Sequence, residues 1–319
     1  MLSSCLEKRL IVNIGKGGVG KSMLTAALAR YAASQGKRVL ICEVNAKDRM
    51  ASLFAKEIPS SIDTLDQVWQ LEDNIWTVNI HPNESMKEYV VQVLRLKILY
   101  KVVFENQLMQ QFLRAVPGLQ ELVYIGKVWF HTTELRKDNT PRFDMVIVDS
   151  PATGHGLAML RIPDVIVRTV PVGPMHTAAQ KIKDVLEDPT QTQLNLVTLP
   201  EEMPINETVE LYHSLANDLN MHAEQIFINQ WPHSPFQDSH REQFSTLYDR
   251  AIEHPTLAPW FAVAKDAQKK HEKASRYCEK IKADLGLSLL TLPHVYAPPS
   301  EGDIVSSLSQ ELLARHTAQ

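Results

Sequence analysis

Residues 15–22, Gly-Lys-Gly-Gly-Val-Gly-Lys-Ser, follow the apolar run Leu10-Ile11-Val12-Asn13-Ile14 and open the helix-forming stretch Met23-Leu24-Thr25-Ala26-Ala27-Leu28-Ala29. A strand, a glycine-rich turn and a helix in that order form a phosphate cradle. Gly15, Gly17, Gly18 and Gly20 let the backbone bend tightly and turn its N–H groups inward. The helix that starts at the turn adds its positive N-terminal end. Such a pattern arises by chance in roughly one chain in a hundred of this length. Val19 and Met23 contribute backbone to the same cradle. Lys21 fits the lysine that reaches the terminal phosphates, and Ser22 the hydroxyl that coordinates Mg²⁺. Lys16 is the unusual member: a second lysine inside the loop does not readily turn back onto its own phosphates, so it is expected to serve a neighbouring subunit. The expected ligand is a nucleoside triphosphate with Mg²⁺.

Short apolar runs recur between longer helical patterns, at 10–14, 39–44, 75–80, 145–148, 194–199, 225–228 and 287–292. Runs of that length, alternating with helices, read as a mostly parallel sheet covered on both faces. The fold class expected is therefore α/β, a doubly wound P-loop NTPase fold with ligand at the C-terminal strand ends. One such domain accounts for all 319 residues, with two candidate insertions. The first covers 84–139. Its stretch 86–113 is apolar nearly all round (Val90, Leu94, Ile98, Val102, Met109, Phe112), as in a helix that is buried or meets an apolar protein client. The second candidate helical insertion covers 231–284, where 265–282 reads as a charged, solvated helix.

Charge and cysteines narrow the function classes. A net charge of −4 and a pI near 6.3 give no electrostatic case for nucleic acid. Cys5, Cys42 and Cys278 are far apart and form no CxxC pair, which fits a reducing cytoplasm better than a disulfide framework or a zinc site. No apolar stretch approaches the length of a membrane span. His81, His176 and His213 lack metal-ligand spacing. The amphipathic stretch 304–313 is expected to pack back onto the sheet.

A second constellation is Phe143-Asp144-Met145-Val146-Ile147-Val148-Asp149-Ser150-Pro151-Ala152-Thr153-Gly154-His155-Gly156. An apolar strand ending in Asp149 supplies the other half of a P-loop site, where the carboxylate holds Mg²⁺, often through water. The turn after it can bring backbone groups close to the γ-phosphate.

Together with Leu160-Arg161-Ile162-Pro163 and the segment Leu199-Pro200-Glu201-Glu202-Met203-Pro204-Ile205-Asn206-Glu207-Thr208, these motifs resemble the ArsA ATPase family in content and order. That family includes the arsenite-pump ATPase and the targeting ATPase for tail-anchored membrane proteins. The resemblance implies a deviant P-loop ATPase, a homodimer or a pair with a paralogous subunit, with ATP between the subunits. Lys16 would reach the partner's phosphates, and hydrolysis would switch the dimer for a protein client. It also implies an adenine contact at Asn229, which by itself reads as a turn residue. The resemblance fails at two points. Asn45 stands where better-known members carry an aspartate that orients the attacking water; an amide can bond water but cannot take its proton. Hydrolysis is therefore expected to be slow, unless Glu43 or Asp48 substitutes, and a regulatory subunit with little turnover is the alternative. The clustered thiolates that metalloid sensing requires are missing too, which weakens the reading as an efflux-pump subunit.

Overall fold

The computed structural model describes residues 2–44, 48–59, 67–81, 118–236, 238–296 and 300–317, with Ser3, Asp238 and Arg241 described in backbone alone. Asn45 and the stretch 86–113 lie outside the described residues.

Eight strands form one sheet. They are β1 (Leu10–Ile14), β2 (Val39–Val44), β3 (Trp69–Glu72), β4 (Ile75–Ile80), β5 (Met145–Asp149), β6 (Thr192–Thr198), β7 (Ala223–Trp231) and β8 (Ser288–Pro293). Their order across the sheet is β3-β4-β2-β5-β1-β6-β7-β8. Every pairing is parallel except β3 with β4. The α/β doubly wound reading holds. Each of the seven apolar runs became a strand, whereas β3, short and half polar, gave no such signal in the sequence. The chain leaves β1 in one direction, returns to place β5 beside it, then continues the other way through β6. The crevice over the C-terminal ends of β1 and β5 is therefore the topological switch point.

Alternation along each strand builds two cores. Leu10, Val12 and Ile14 of β1 face one side, with Leu40 and Cys42 of β2. Helices α4 (Leu119–Thr133), α5 (Thr153–Thr169), α6 (Pro174–Glu187), α7 (Glu202–Leu219) and the end of α9 (Ala258–Leu285) cover that side. Ile11, Ile41, Ile147 and Val197 face the other, under α2 (Lys21–Ser34), α3 (Arg49–Leu53) and α10 (Glu301–Thr317). Each such buried aliphatic side chain contributes about 1.5–3 kcal/mol. The short α1 (Leu2–Cys5) also packs on the second core, and α8 (Arg241–Ala251) precedes α9.

Two sequence expectations take definite form here, and the last part of the first candidate insertion contains a helix. The apolar stretch near 122–130 is α4, whose Leu122, Ile125 and Val128 lie in the first core. The segment 231–284 is the β7–β8 crossover; α9 buries Gln268, Ala274, Ile281 and Leu285 and leaves most of its charged residues in solvent. As expected, α10 packs back, burying Val305, Leu308 and Leu312 in the second core. Helix α2 is rich in Ala and Leu, both strong helix formers. It ends where Gly36, at φ 81°, lets its own N–H and that of Lys37 reach the carbonyls of Ala33 and Ala32. That is a Schellman ending.

Candidate functional site

The loop 15–22 lies over the end of β1 and is shaped by its glycines. A Cβ at Gly15 would stand 2.2 Å from the Val197 carbonyl oxygen, so β6 touches the loop backbone directly. Gly20 is left-handed (φ 90°) where α2 begins, and a Cβ there would lie 2.1 Å from Asn229 Nδ2. Asn229, on β7, donates that amide to the Val19 carbonyl at 3.0 Å. It thus braces the loop from below, a role that the sequence did not suggest. Gly17 faces the next turn, its Cβ position 3.8 Å from Ala152, and Gly18 is left-handed with open space around it. Met23 packs half-buried against the second core.

The two lysines behave differently. Lys21 curls back over the loop and donates to the carbonyls of Gly15 at 3.0 Å and Lys16 at 2.9 Å. Burial holds its pKa below the ordinary lysine value, although Asp149 pulls the other way. Lys16 points away from the loop, and its Nζ meets Glu207 Oε1 of α7 at 2.5 Å. Glu207 belongs to the 199–208 segment, whose first two acidic residues flank the start of α7.

Ser22 and Asp149 come together at the switch point. Ser22 Oγ donates to Asp149 Oδ2 at 2.6 Å, while the buried Oδ1 has no hydrogen-bond partner among the described residues. Burial pushes the Asp149 pKa up; Ser22 and Lys21 oppose that shift. A buried carboxylate oxygen without a partner is costly unless something occupies it. A hydroxyl and a carboxylate at a helix N-terminus are the oxygen donors that suit Mg²⁺, so this pair fits the ion. Ser150 Oγ donates to the Asn13 carbonyl at 2.5 Å and ties the end of β5 to β1. Beyond it, Thr153, Gly154 and His155 form the first turn of α5, with no side chain near the Cβ position of Gly154. His155 is exposed, 3.8 Å from Glu121.

Glu43 and Asp48 flank the undescribed residues 45–47, and both are engaged. Glu43 is buried, with Oε1 accepting from the Met50 N–H at 3.0 Å and Oε2 from Thr77 Oγ1 at 3.3 Å. Asp48 accepts from Asn79 Nδ2 at 2.9 Å. Both are therefore supports of α3.

Burial pushes Glu43 from 4.5 up to about 7, helped by the charges of Asp149 and Asp48 and opposed by the Met50 and Arg49 N–H groups. The folded chain then keeps a proton that the unfolded chain releases above its own value. Stability from this residue is full below pH 4.5 and falls as pH rises through about 7. Glu43→Gln keeps the shape and cannot ionise. It should raise stability at pH 8 by up to about 3 kcal/mol and leave it nearly unchanged at pH 4. Urea unfolding at the two pH values checks this; equal gains at both would remove ionisation as the cause.

No group of three or more His, Cys, Asp or Glu among the described residues could hold a metal ion. Cys5 and Cys42 are buried and their thiols pushed up, Cys5 to about 12, so they stay protonated. No helix among the described residues is long and apolar enough to cross a membrane.

Comparison with known proteins agrees with this geometry. A family model described as anion-transporting ATPase matches residues 8–172 and 172–249. ATPase BagA of Mycobacterium tuberculosis is 30% identical over 214 residues, 65% of this chain and 61% of that protein. ATPase GET3C of Arabidopsis thaliana is 24% identical over 261 residues, covering 68% and 65% of the two chains. The arsenical pump-driving ATPase of Acidiphilium multivorum is 26% identical over 232 residues, 67% of this chain but 38% of that protein. This chain thus spans less than two thirds of the length of each of these relatives.

Proposed function

The chain belongs to the ArsA family of anion-transporting ATPases, and from that premise we propose that it is a Mg-ATP-dependent ATPase that works as a dimeric switch. The observation that carries this reading is the buried Asp149 carboxylate, with one oxygen on Ser22 and the other without a partner, directly beneath a glycine cradle. Gly15, Gly17, Gly18, Val19 and Gly20, with the first turn of α2, would hold the phosphates through their N–H groups, and Lys21 would exchange the loop carbonyls for phosphate oxygens. Ser22 and Asp149 would hold Mg²⁺, which when bound neutralises charge on the β- and γ-phosphates. Asn229 keeps the loop in shape. The next residue, Gln230, lines a 630 Å³ cavity together with Leu199, Pro200, Pro232, His294 and Tyr296, in the size range of small-molecule pockets.

The second half of the proposal concerns Lys16. Its ammonium faces away from its own cradle and is held by Glu207, which supports a role toward a partner subunit's ATP. Both Glu43 oxygens are occupied and Asp48 is tied to Asn79. Neither is disposed to replace the aspartate missing at Asn45, which supports slow turnover. A thiolate-based metalloid site finds no support, because Cys5 and Cys42 are sealed in the core. The client would be a protein rather than a metalloid.

Light scattering with Mg²⁺ and a non-hydrolysable ATP analogue tests the switch. The expected result is a nucleotide-dependent shift from monomer to dimer that EDTA reverses. A calorimetric titration that detects no ATP binding would overturn the reading altogether. Binding without any change of mass would overturn the dimer alone.

A further inference from the structure

Seven strands carry a polar residue at one level on the α2 side of the sheet. Strand register aligns Asn79 with Glu43, Glu43 with Asp149, Asp149 with Asn13, Asn13 with Asn195, Asn195 with Gln225 and Gln225 with Ser288. Asn79, Glu43, Asp149, Asn13, Asn195 and Gln225 are all buried. On the same strands and the same face, Ile11, Ile41, Ile147, Val197 and Phe227 form an ordinary apolar core. An aliphatic row would pack as well as this one and would spare the desolvation of six polar side chains.

The middle of the row has a direction. Gln193 Nε2 donates to Asn195 Oδ1 at 2.8 Å, and Asn195 Nδ2 donates to Asn13 Oδ1 at 2.9 Å. Asn13 Nδ2 then donates to Thr25 Oγ1 at 2.8 Å. Gln193 starts the chain as donor; Asn195 and Asn13 each accept from one side and pass their own N–H toward α2, so the chain of bonds ends on the helix. Thr25 lies three residues after Ser22, on the same helix face. Asn13 on β1 therefore grips Thr25, while Asp149, its partner in register on β5, grips Ser22. Two neighbouring strands hold two residues one helical turn apart, which fixes both the rotation and the height of the first turn of α2.

We propose that Asn13 is a positioning residue for the metal-holding pair Ser22 and Asp149, acting through Thr25 and itself oriented by Asn195. The proposal rests on the nucleotide-site reading given above. Without the Asn13 bond, the first turn of α2 keeps its backbone hydrogen bonds but can rotate, and the Ser22–Asp149 spacing loosens. The loss falls on metal affinity. Phosphate contacts from the loop backbone are spared, because the glycines, Val197 and Asn229 shape that part independently.

The test is an equilibrium titration of Mg²⁺ into the full chain with a fluorescent ADP analogue, read as nucleotide binding rather than turnover. Asn13→Leu should raise the Mg²⁺ midpoint about tenfold and leave metal-free nucleotide affinity within about twofold. Thr25→Val should do the same, the double variant should add little to either, and Thr25→Ser should behave as the natural protein does. If Asn13→Leu does not fold, Thr25→Val and Thr25→Ser carry the test. A midpoint unchanged in Asn13→Leu or Thr25→Val, an equal loss of metal-free affinity, or a Thr25→Ser as impaired as Thr25→Val would each overturn the positioning role and leave the site reading intact. Absence of Mg²⁺-dependent nucleotide binding in the natural protein would take both down.

Discussion

Lys16→Ala is expected to slow ATP hydrolysis about a thousandfold and to leave the affinity for Mg-ATP within a few-fold. A cation supplied in trans to the transferred phosphoryl group is worth 10³–10⁵ in rate, and a thousandfold corresponds to about 4 kcal/mol of transition-state stabilisation. Ground-state affinity is spared because Lys21, not Lys16, lies over the cradle. The competing explanation is that Lys16 serves only its ion pair with Glu207. Both side chains there are more than a third exposed, at 39% and 34%, and such pairs contribute about 0–1 kcal/mol. Glu207→Gln separates the two. If the ion pair is all that matters, Glu207→Gln and Lys16→Ala should have equally small effects. If Lys16 acts across the dimer, Glu207→Gln should keep most of the rate, since it removes only the group that holds the lysine in the free subunit. Single-turnover rates and light scattering on both variants decide the matter. A Lys16→Ala protein with the natural rate would end the trans-acting reading.

What the sequence made legible follows from which interactions are local. The strands 10–14, 39–44 and 75–80 were read to the residue, because a strand buried on both faces reads as a nearly continuous apolar run, here with only a few polar residues in each. The pairing of Ser22 with Asp149, 127 positions apart, was legible because each half sits on a recognisable strand end. The bracing of Val19 by Asn229 and the holding of Lys16 by Glu207 were not. They depend on where β7 and α7 come to lie, and an asparagine at a strand end looks the same whether it supports a loop or caps a turn. Asn13 was hidden inside a run that counted as apolar. Its one signal was an amide in the middle of an otherwise aliphatic central strand. β3 escaped for the opposite reason: an antiparallel edge strand with three residues only partly buried or exposed carries no apolar run.

Gly20→Ala is the other change expected to be large, lowering nucleotide affinity more than a hundredfold and stability by roughly 2–5 kcal/mol. Two costs combine there. The left-handed backbone at φ 90° costs an alanine about 1–2 kcal/mol. Its methyl group would also stand 2.1 Å from Asn229 Nδ2, so either the loop or Asn229 must move. If Asn229 moves, the buried Val19 carbonyl loses its donor, at about 1–3 kcal/mol; if the loop moves, the N–H groups no longer converge on the phosphates. Gly36→Ala isolates the first cost, because Gly36 is also left-handed (φ 81°) but faces open space. It should lose stability and no nucleotide affinity. Asn229→Ala isolates the second by removing the obstacle along with the brace. The double variant Gly20→Ala, Asn229→Ala should therefore be less impaired than the sum of the single changes. Chemical denaturation and ATP titration of the four proteins complete the cycle. Strict additivity would mean that the contact between Gly20 and Asn229 does not shape the loop, and that glycine is needed at this position for its backbone angle alone.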